Sequence, residues 1–175
     1  ITTEEAAMLF LGFCTDTGYF RHVEPGSAEP LEAVARLVAA GASPAETFRL
    51  LAGGRSIGSR KLLGRVLERS ELFFGGRVVL TWETWKDWIE LANERDSDML
   101  YQLILSIAGV QAAVVIREQN DGFCVVGLRS VTDLDVGEIA RFFGGRGHKN
   151  AAGCTLGGDR HDVTEQVMRR IADRL

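Results

Sequence analysis

The stretch "QAAVVIREQNDGFCVVGLRS", residues 111–130, holds two Val-rich runs on either side of Asp121-Gly122. Runs of this length, rich in β-branched residues and broken by Asp-Gly, read as antiparallel strands joined by a tight primed turn, because both turn residues accept positive φ. This is the clearest hairpin in the chain. Downstream, Asp135 and Glu138 have the spacing of a capping box, so a helix starts there. That helix runs straight into "FFGGRGHKNAAG", residues 142–153. "AAGCTL" then reads as a short strand, and 161–175 as an amphipathic helix on Val163, Val167, Met168, Ile171 and Leu175.

Upstream, "ELFFGGRVVLTW" reads as a strand pair around Gly75-Gly76. Thr84 caps a helix expected to reach about Asn93, and Asp98–Ala108 is a second helix stopped by Gly109. Residues 71–175 therefore form an α/β domain with a mixed sheet. Residues 1–70 are mostly helical. "ITTEEAAMLFLGF" opens with a Thr2–Glu5 capping box and is apolar on nearly every side, so it needs cover all round. The polar break "CTDTGYFRH" follows. A helix with Leu31, Val34, Leu37 and Val38 comes next, stopped by Gly41. Ser43-Pro44 opens a helix to about Ala52, and Leu62, Leu63, Val66 and Leu67 mark another.

The cluster Gly144, Gly145, Gly147 and His148 has two readings. It is a loose connector, or an anion cradle in which backbone N–H groups form a nest and His148, Lys149 and Asn150 add polar groups. Residues 139–158 carry Arg141, Arg146 and Lys149 and no Asp or Glu, so a local anion site is compatible with a net charge of −4. That net charge argues against nonspecific coating of nucleic acid along the whole surface. Arg129-Ser130 stands at a strand end, where ligand groups commonly sit in α/β domains. The combination of a strand-end arginine, a capped helix and the glycine segment favours the anion reading over the connector.

With 46% hydrophobic and 25% charged residues the chain reads as globular. Cys14, Cys124 and Cys154 form no CxxC pair, which argues against a zinc knuckle or redox motif and for buried apolar thiols in a reducing cytoplasm. No signal peptide or membrane span is expected. Gly53 and Gly58 have P-loop spacing, but Ser59 stands where lysine is required, so "GGRSIGSRK" reads as a connector with solvated Arg60 and Lys61. Asp16, between two threonines and followed by Gly18, reads by spacing alone as a turn aspartate rather than a metal ligand.

These segments resemble the DHH-family phosphoesterases. "GLRS" (127–130) and "FGGRGHKNAAG" (143–153) are similar to the strand-end Arg-Ser and the glycine-rich loop with histidine of that family's C-terminal associated domain. Arg146 departs from the pattern, where a third glycine is more usual. "TDTGYF" (15–20) is similar to the motif that ends the DHH catalytic domain. The resemblance implies an end-of-DHH remnant and linker over 1–70 and a substrate-binding associated domain over 71–175. It also implies that Asp16 is one ligand of a dinuclear manganese or magnesium site. The substrate-binding residues it implies are Arg129, Ser130, Gly144, Gly145, Gly147, His148, Lys149 and Asn150.

Within the family the chain is most similar to the RecJ-like oligoribonucleases that also dephosphorylate 3'-phosphoadenosine 5'-phosphate. This implies short single-stranded RNA or DNA, or nucleotide phosphates, as partners, with no membrane. The Asp-x-Asp and Asp-His-His motifs are not in this sequence, and His22, His148 and His161 are isolated. The expectation is therefore a truncated stretch that holds no metal pair and no complete catalytic set, that is inactive alone, and that can dimerise through its uncovered apolar helix. The alternatives are a noncatalytic nucleotide- or RNA-binding module, a cyclic-dinucleotide phosphodiesterase and an exopolyphosphatase.

Overall fold

A computed structural model of the chain describes residues 1–21, 23–91 and 95–175. His22, read as an isolated histidine, and Asn93, the expected end of a helix, lie outside the described residues. Among the described residues the contacts form two compact units, Ile1–Arg55 and Ser56–Leu175.

The first unit is helical: α1 (Thr3–Asp16), α2 (Glu29–Ala39) and α3 (Pro44–Ala52). The Thr2 amide donates to Glu5 Oε2 at 2.8 Å and the Glu5 amide to Thr2 Oγ1 at 3.2 Å, the reciprocal capping box expected there. Ala6, Phe10 and Cys14 lie on one face of α1 and pack with Val34 and Ala42. Met8 and Leu9 on α1 remain 70% and 57% exposed.

The second unit carries α4 (Ile57–Glu68), β1 (Glu71–Phe73), β2 (Val78–Glu83), α5 (Trp85–Leu91), α6 (Ser97–Leu105), β3 (Ala112–Glu118) and β4 (Phe123–Ser130), followed by α7 (Val136–Phe142), β5 (Arg146–His148), β6 (Ala151–Gly157) and α8 (Arg160–Ala172). The strands form one mixed sheet in the order β1-β2-β3-β4-β6-β5, in which β2 and β3 are parallel and the other neighbours antiparallel. The change of texture at residue 71 marks the first strand. By contacts α4 goes with the sheet, because Leu62 and Val66 pack against Val79, Ala113 and Val115. Arg60 is not simply solvated: it bonds Asp96 Oδ2 at 3.1 Å, while Lys61 is exposed.

Burial along the strands shows where the sheet is covered. Ala112–Ile116 of β3 are buried without a break, since α7 and α8 pack on one face and α4 and α6 on the other. In β4 only Cys124, Val126, Leu128 and Ser130 are buried, and in β6 only Ala152, Cys154 and Leu156. That alternation is the mark of a strand packed on one face. The β4-β6-β5 half thus keeps a second, partly open face.

The 111–130 hairpin forms, but its turn differs from expectation. The Gln119 amide donates to the Phe123 carbonyl at 2.9 Å, closing a three-residue loop. Gly122 has φ +79°, and Asp121 is not among the positive-φ residues, so the primed two-residue turn is replaced by a longer loop with one left-handed residue. The Asp121 side chain instead accepts from the Phe123 amide at 3.3 Å. The helix expected over Asp98–Ala108 starts one residue earlier, because Asp96 caps it by accepting from the Met99 amide, and it ends at Leu105.

Candidate functional site

The open half-face collects charge from two strands that are not neighbours. Arg129 of β4 pairs in register with Ala151 of β6, and Ala151 pairs with His148 of β5. Directly opposed residues of antiparallel strands point to the same face. Arg129 and His148 therefore flank Ala151 on one face, with backbones about 10 Å apart at two strand spacings. Arg146 lies on the same face, opposite Gly153. The small Ala151 and Gly153 form the floor, so a long guanidinium and an imidazole can converge above them on one oxyanion.

Arg129 is half-buried and oriented. Its Nη1 donates to the Leu128 carbonyl at 3.0 Å, and its guanidinium lies 4.5 Å from the Tyr101 ring centroid. Ser130 points the other way. It is buried, and its hydroxyl donates to the Leu134 carbonyl at 2.8 Å, pinning the segment after β4. The period-2 pleat separates the two: the structure brings Arg129 to the open face and Ser130 to the core.

The glycine segment is not a loose loop. Arg146–His148 is the edge strand of the sheet, turning back into β6 through Lys149 and Asn150. The Gly145 amide donates to the Ala140 carbonyl at 2.8 Å and the Gly144 amide to the Arg141 carbonyl at 3.0 Å, closing the end of α7 in a Schellman motif. These two amides thus serve helix carbonyls and do not converge on an anion, which corrects the nest expectation for Gly144 and Gly145. Gly144 takes φ +75° for that cap. Gly147 is glycine because β6 is close: an added Cβ would stand 2.5 Å from the Ala152 Cβ. What the glycines supply is a bend that sets the His148 strand against β6 at short range.

Lys149 and Asn150 sit at the exposed turn. Lys149 Nζ donates to Asp133 Oδ1 at 2.7 Å, and that bond pulls the Asp133 carboxyl below its usual range. The Asn150 carbonyl accepts from the Ser130 amide at 3.0 Å.

Asp16 is exposed at the end of α1, in the other unit. It is followed by an unusual turn in which Gly18, Tyr19 and Phe20 have φ of +56°, +55° and +73°. Such φ values strain aromatic residues and survive only where surroundings enforce them. Here the Tyr19 hydroxyl donates to the Pro44 carbonyl at 3.0 Å, and the Phe20 ring packs edge-on against Phe13 at 5.2 Å. Among the described residues no group of three or more His, Cys, Asp or Glu side chains stands close enough to hold a metal ion. The described residues by themselves do not fit a divalent ion.

Tyr101 escapes a reading by motif, and so does the contact it makes with Gly127 of the GLRS segment. Tyr101 sits beneath Arg129, and Gly127 lies under the Tyr101 hydroxyl. Gly127 did carry a signal, since an isolated glycine within a strand marks close approach by another group. The three cysteines are free and buried, and burial pushes the Cys154 thiol up to about 11, so all three behave as apolar filling. No helix among the described residues is long and apolar enough to cross a membrane.

A family model described as the DHHA1 domain matches residues 88–175. A Thermus thermophilus protein described as bifunctional oligoribonuclease and PAP phosphatase NrnA is 34% identical over 176 residues, covering 99% of this chain and 52% of that protein. The chain thus spans about half the length of the curated relative it matches. Among solved structures, an exopolyphosphatase-related protein from Bacteroides fragilis superposes with a TM-score of 0.85 at 23% identity, over 99% of this chain and 51% of that one. A pGpG-specific phosphodiesterase from Vibrio cholerae gives a TM-score of 0.56 at 14% identity, over 87% of this chain and 54% of that one. At these identities the structural likeness concerns the fold alone.

Proposed function

This chain belongs to the DHHA1-domain family, and on that premise we propose that it supplies the phosphate-gripping part of a phosphoesterase. Its substrates in this reading are short oligonucleotides or nucleotides, of the oligoribonuclease and 3'-phosphoadenosine 5'-phosphate phosphatase type. The observation that carries it is the register row in which Arg129 and His148 flank Ala151. A guanidinium offers a planar fork to phosphate oxygens, and an imidazole can donate a hydrogen bond beside it. Both would stabilise the charge that grows on phosphoryl oxygens during hydrolysis. Lys149 and Asn150 stand at the rim.

Asp16 in this reading provides one ligand to a pair of divalent ions, manganese or magnesium, which would activate the attacking water when bound. The remaining ligands would come from the part of the relatives that this chain does not span. This stretch alone then binds without hydrolysing. Buried, reduced thiols fit a cytoplasmic setting, and exposed Met8 and Leu9 offer a surface for self-association.

The test is calorimetric titration of the chain with 3'-phosphoadenosine 5'-phosphate, inorganic phosphate and adenosine. Saturable binding that needs phosphate and is lost in Arg129→Ala supports the reading. Equal binding of adenosine, or an indifferent Arg129→Ala, overturns it. Binding without turnover in the full-length protein would favour the noncatalytic nucleotide-binding module.

A further inference from the structure

Arg129 lies over a neighbour that no motif includes. Tyr101, on α6, is 6% exposed, and its ring lies under the Arg129 guanidinium at 4.5 Å. Its hydroxyl makes no well-formed hydrogen bond among the described residues, and the Arg117 guanidinium stands beside it. A buried phenol with so poorly aligned a partner keeps much of its desolvation cost, so its position calls for a reason beyond core filling. The hydroxyl rests over Gly127: a Cβ added there would overlap the phenol oxygen, whereas the ring carbon Cζ would be 3.4 Å away, an ordinary contact. Beside the hydroxyl, Arg117 is held by Glu83 Oε1 at 3.1 Å and Ser97 Oγ at 3.2 Å. Arg117 Nη1 would also lie 3.4 Å from that added Cβ. The phenol therefore has a fixed cation beside its hydroxyl, and its ring carries Arg129.

We propose that Tyr101 is the positioning residue for Arg129: its ring sets the plane and height of the guanidinium above the sheet, and Gly127 is the gap that lets the ring lie there. This deepens the proposed function and rests on Arg129 gripping phosphate. A cation held on an aromatic face is pre-oriented before the ligand arrives, which lowers the ordering cost of binding.

The experiment is a double-mutant cycle on the full chain, read by 3'-phosphoadenosine 5'-phosphate affinity, thermal midpoint and the Arg129 Nε–Hε resonance, which the ring current shifts. Gly127→Ala displaces the ring and is expected to weaken binding about tenfold and to move the Arg129 resonance toward its free position. Tyr101→Phe alone leaves both readouts near wild type. Combined, Tyr101→Phe restores what Gly127→Ala lost, because the clashing oxygen is gone and Cζ clears the new methyl. If Gly127→Ala does not fold, Tyr101→Leu is expected to lose binding and ring shift, while Ile104→Val on the same helix lowers the midpoint and leaves both intact. An unchanged Arg129 resonance in Gly127→Ala, no rescue in the double variant, or equal binding loss in Ile104→Val overturns the proposal. If Arg129→Ala leaves affinity untouched, the phosphate reading fails, while the resonance still decides whether Tyr101 orients Arg129.

Discussion

His148 and Arg129 face the same side of the sheet with Ala151 between them in register. In the proposed function two donors on one floor contribute separately to holding an oxyanion. Each charge-assisted bond is worth roughly 1.5–3 kcal/mol, so His148→Ala and Arg129→Ala are each expected to weaken nucleotide binding about tenfold to a hundredfold. Their thermal midpoints should stay near wild type, as His148 is exposed and Arg129 half-buried. Lys149→Ala is expected to cost less than about threefold, because its Nζ is paired with exposed Asp133 and screened by salt. Titrations at low and high salt check this. A His148→Ala variant that unfolds while binding persists would make the histidine a structural residue.

Gly147→Ala separates a packing role from a ligand role for the glycine segment. Gly147 has φ +145°, and an added Cβ would stand 2.5 Å from the Ala152 Cβ. Overpacking and backbone strain together are expected to cost about 2–4 kcal/mol, read as a lower denaturant midpoint. Arg146→Gly, which restores the more usual glycine, should cost no more than about 1 kcal/mol, because Arg146 is exposed.

The period of the strands was readable in the sequence, and so were the caps at Thr2, Ser43, Thr84 and Asp135, because both depend on neighbours within four residues. The roles of the glycines were not. Gly144 and Gly145 look like a nest until the carbonyls of α7 take up their amides, and the need for Gly147 comes from β6 passing close by. The separation of Ser130 from Arg129 follows from the pleat alone and was legible; the motif pattern outweighed it. Tyr101 reaches Arg129 across 28 positions of sequence, a contact that only the packing of α6 on the sheet creates. The turn at 119–123 shows local propensity overridden: Asp121-Gly122 suits a primed turn, yet the antiparallel register Glu118↔Cys124 leaves a longer loop to close.

Asp16→Asn should separate fold from metal chemistry. Asp16 is exposed at the end of α1, so the substitution is expected to change stability by less than about 0.5 kcal/mol. In the full-length protein the same change should sharply reduce manganese-dependent hydrolysis of short oligonucleotides while leaving their binding in place. A variant that keeps full turnover across a manganese titration would remove Asp16 from the metal set.

The acid limit of stability in the second unit is expected to depend on Asp87. This carboxylate is 2% exposed at the start of α5, between α4 and β2. Burial alone would push its pKa up. Hydrogen bonds from Arg69, from the Thr84 amide and hydroxyl at 2.9 and 2.8 Å, and from Arg65 at 3.1 Å instead hold it well below the usual carboxylate range. A folded-state pKa below the unfolded value means that the unfolded chain binds the proton first. The contribution of Asp87 is therefore fully present above the unfolded pKa of about 4 and is lost as pH falls below it toward the folded pKa. Wild type should lose stability progressively over that window in urea titrations. Asp87→Asn keeps two polar ends in place but removes the titration, so it should be less stable at neutral pH and show a flatter acid limb. Asp87→Ala leaves Arg69 and Arg65 without their shared acceptor. It is expected to cost roughly 2–4 kcal/mol at pH 7, toward the lower end because both arginines are partly exposed to water. An Asp87→Asn variant whose stability falls with acid as steeply as wild type would place the titrating group elsewhere.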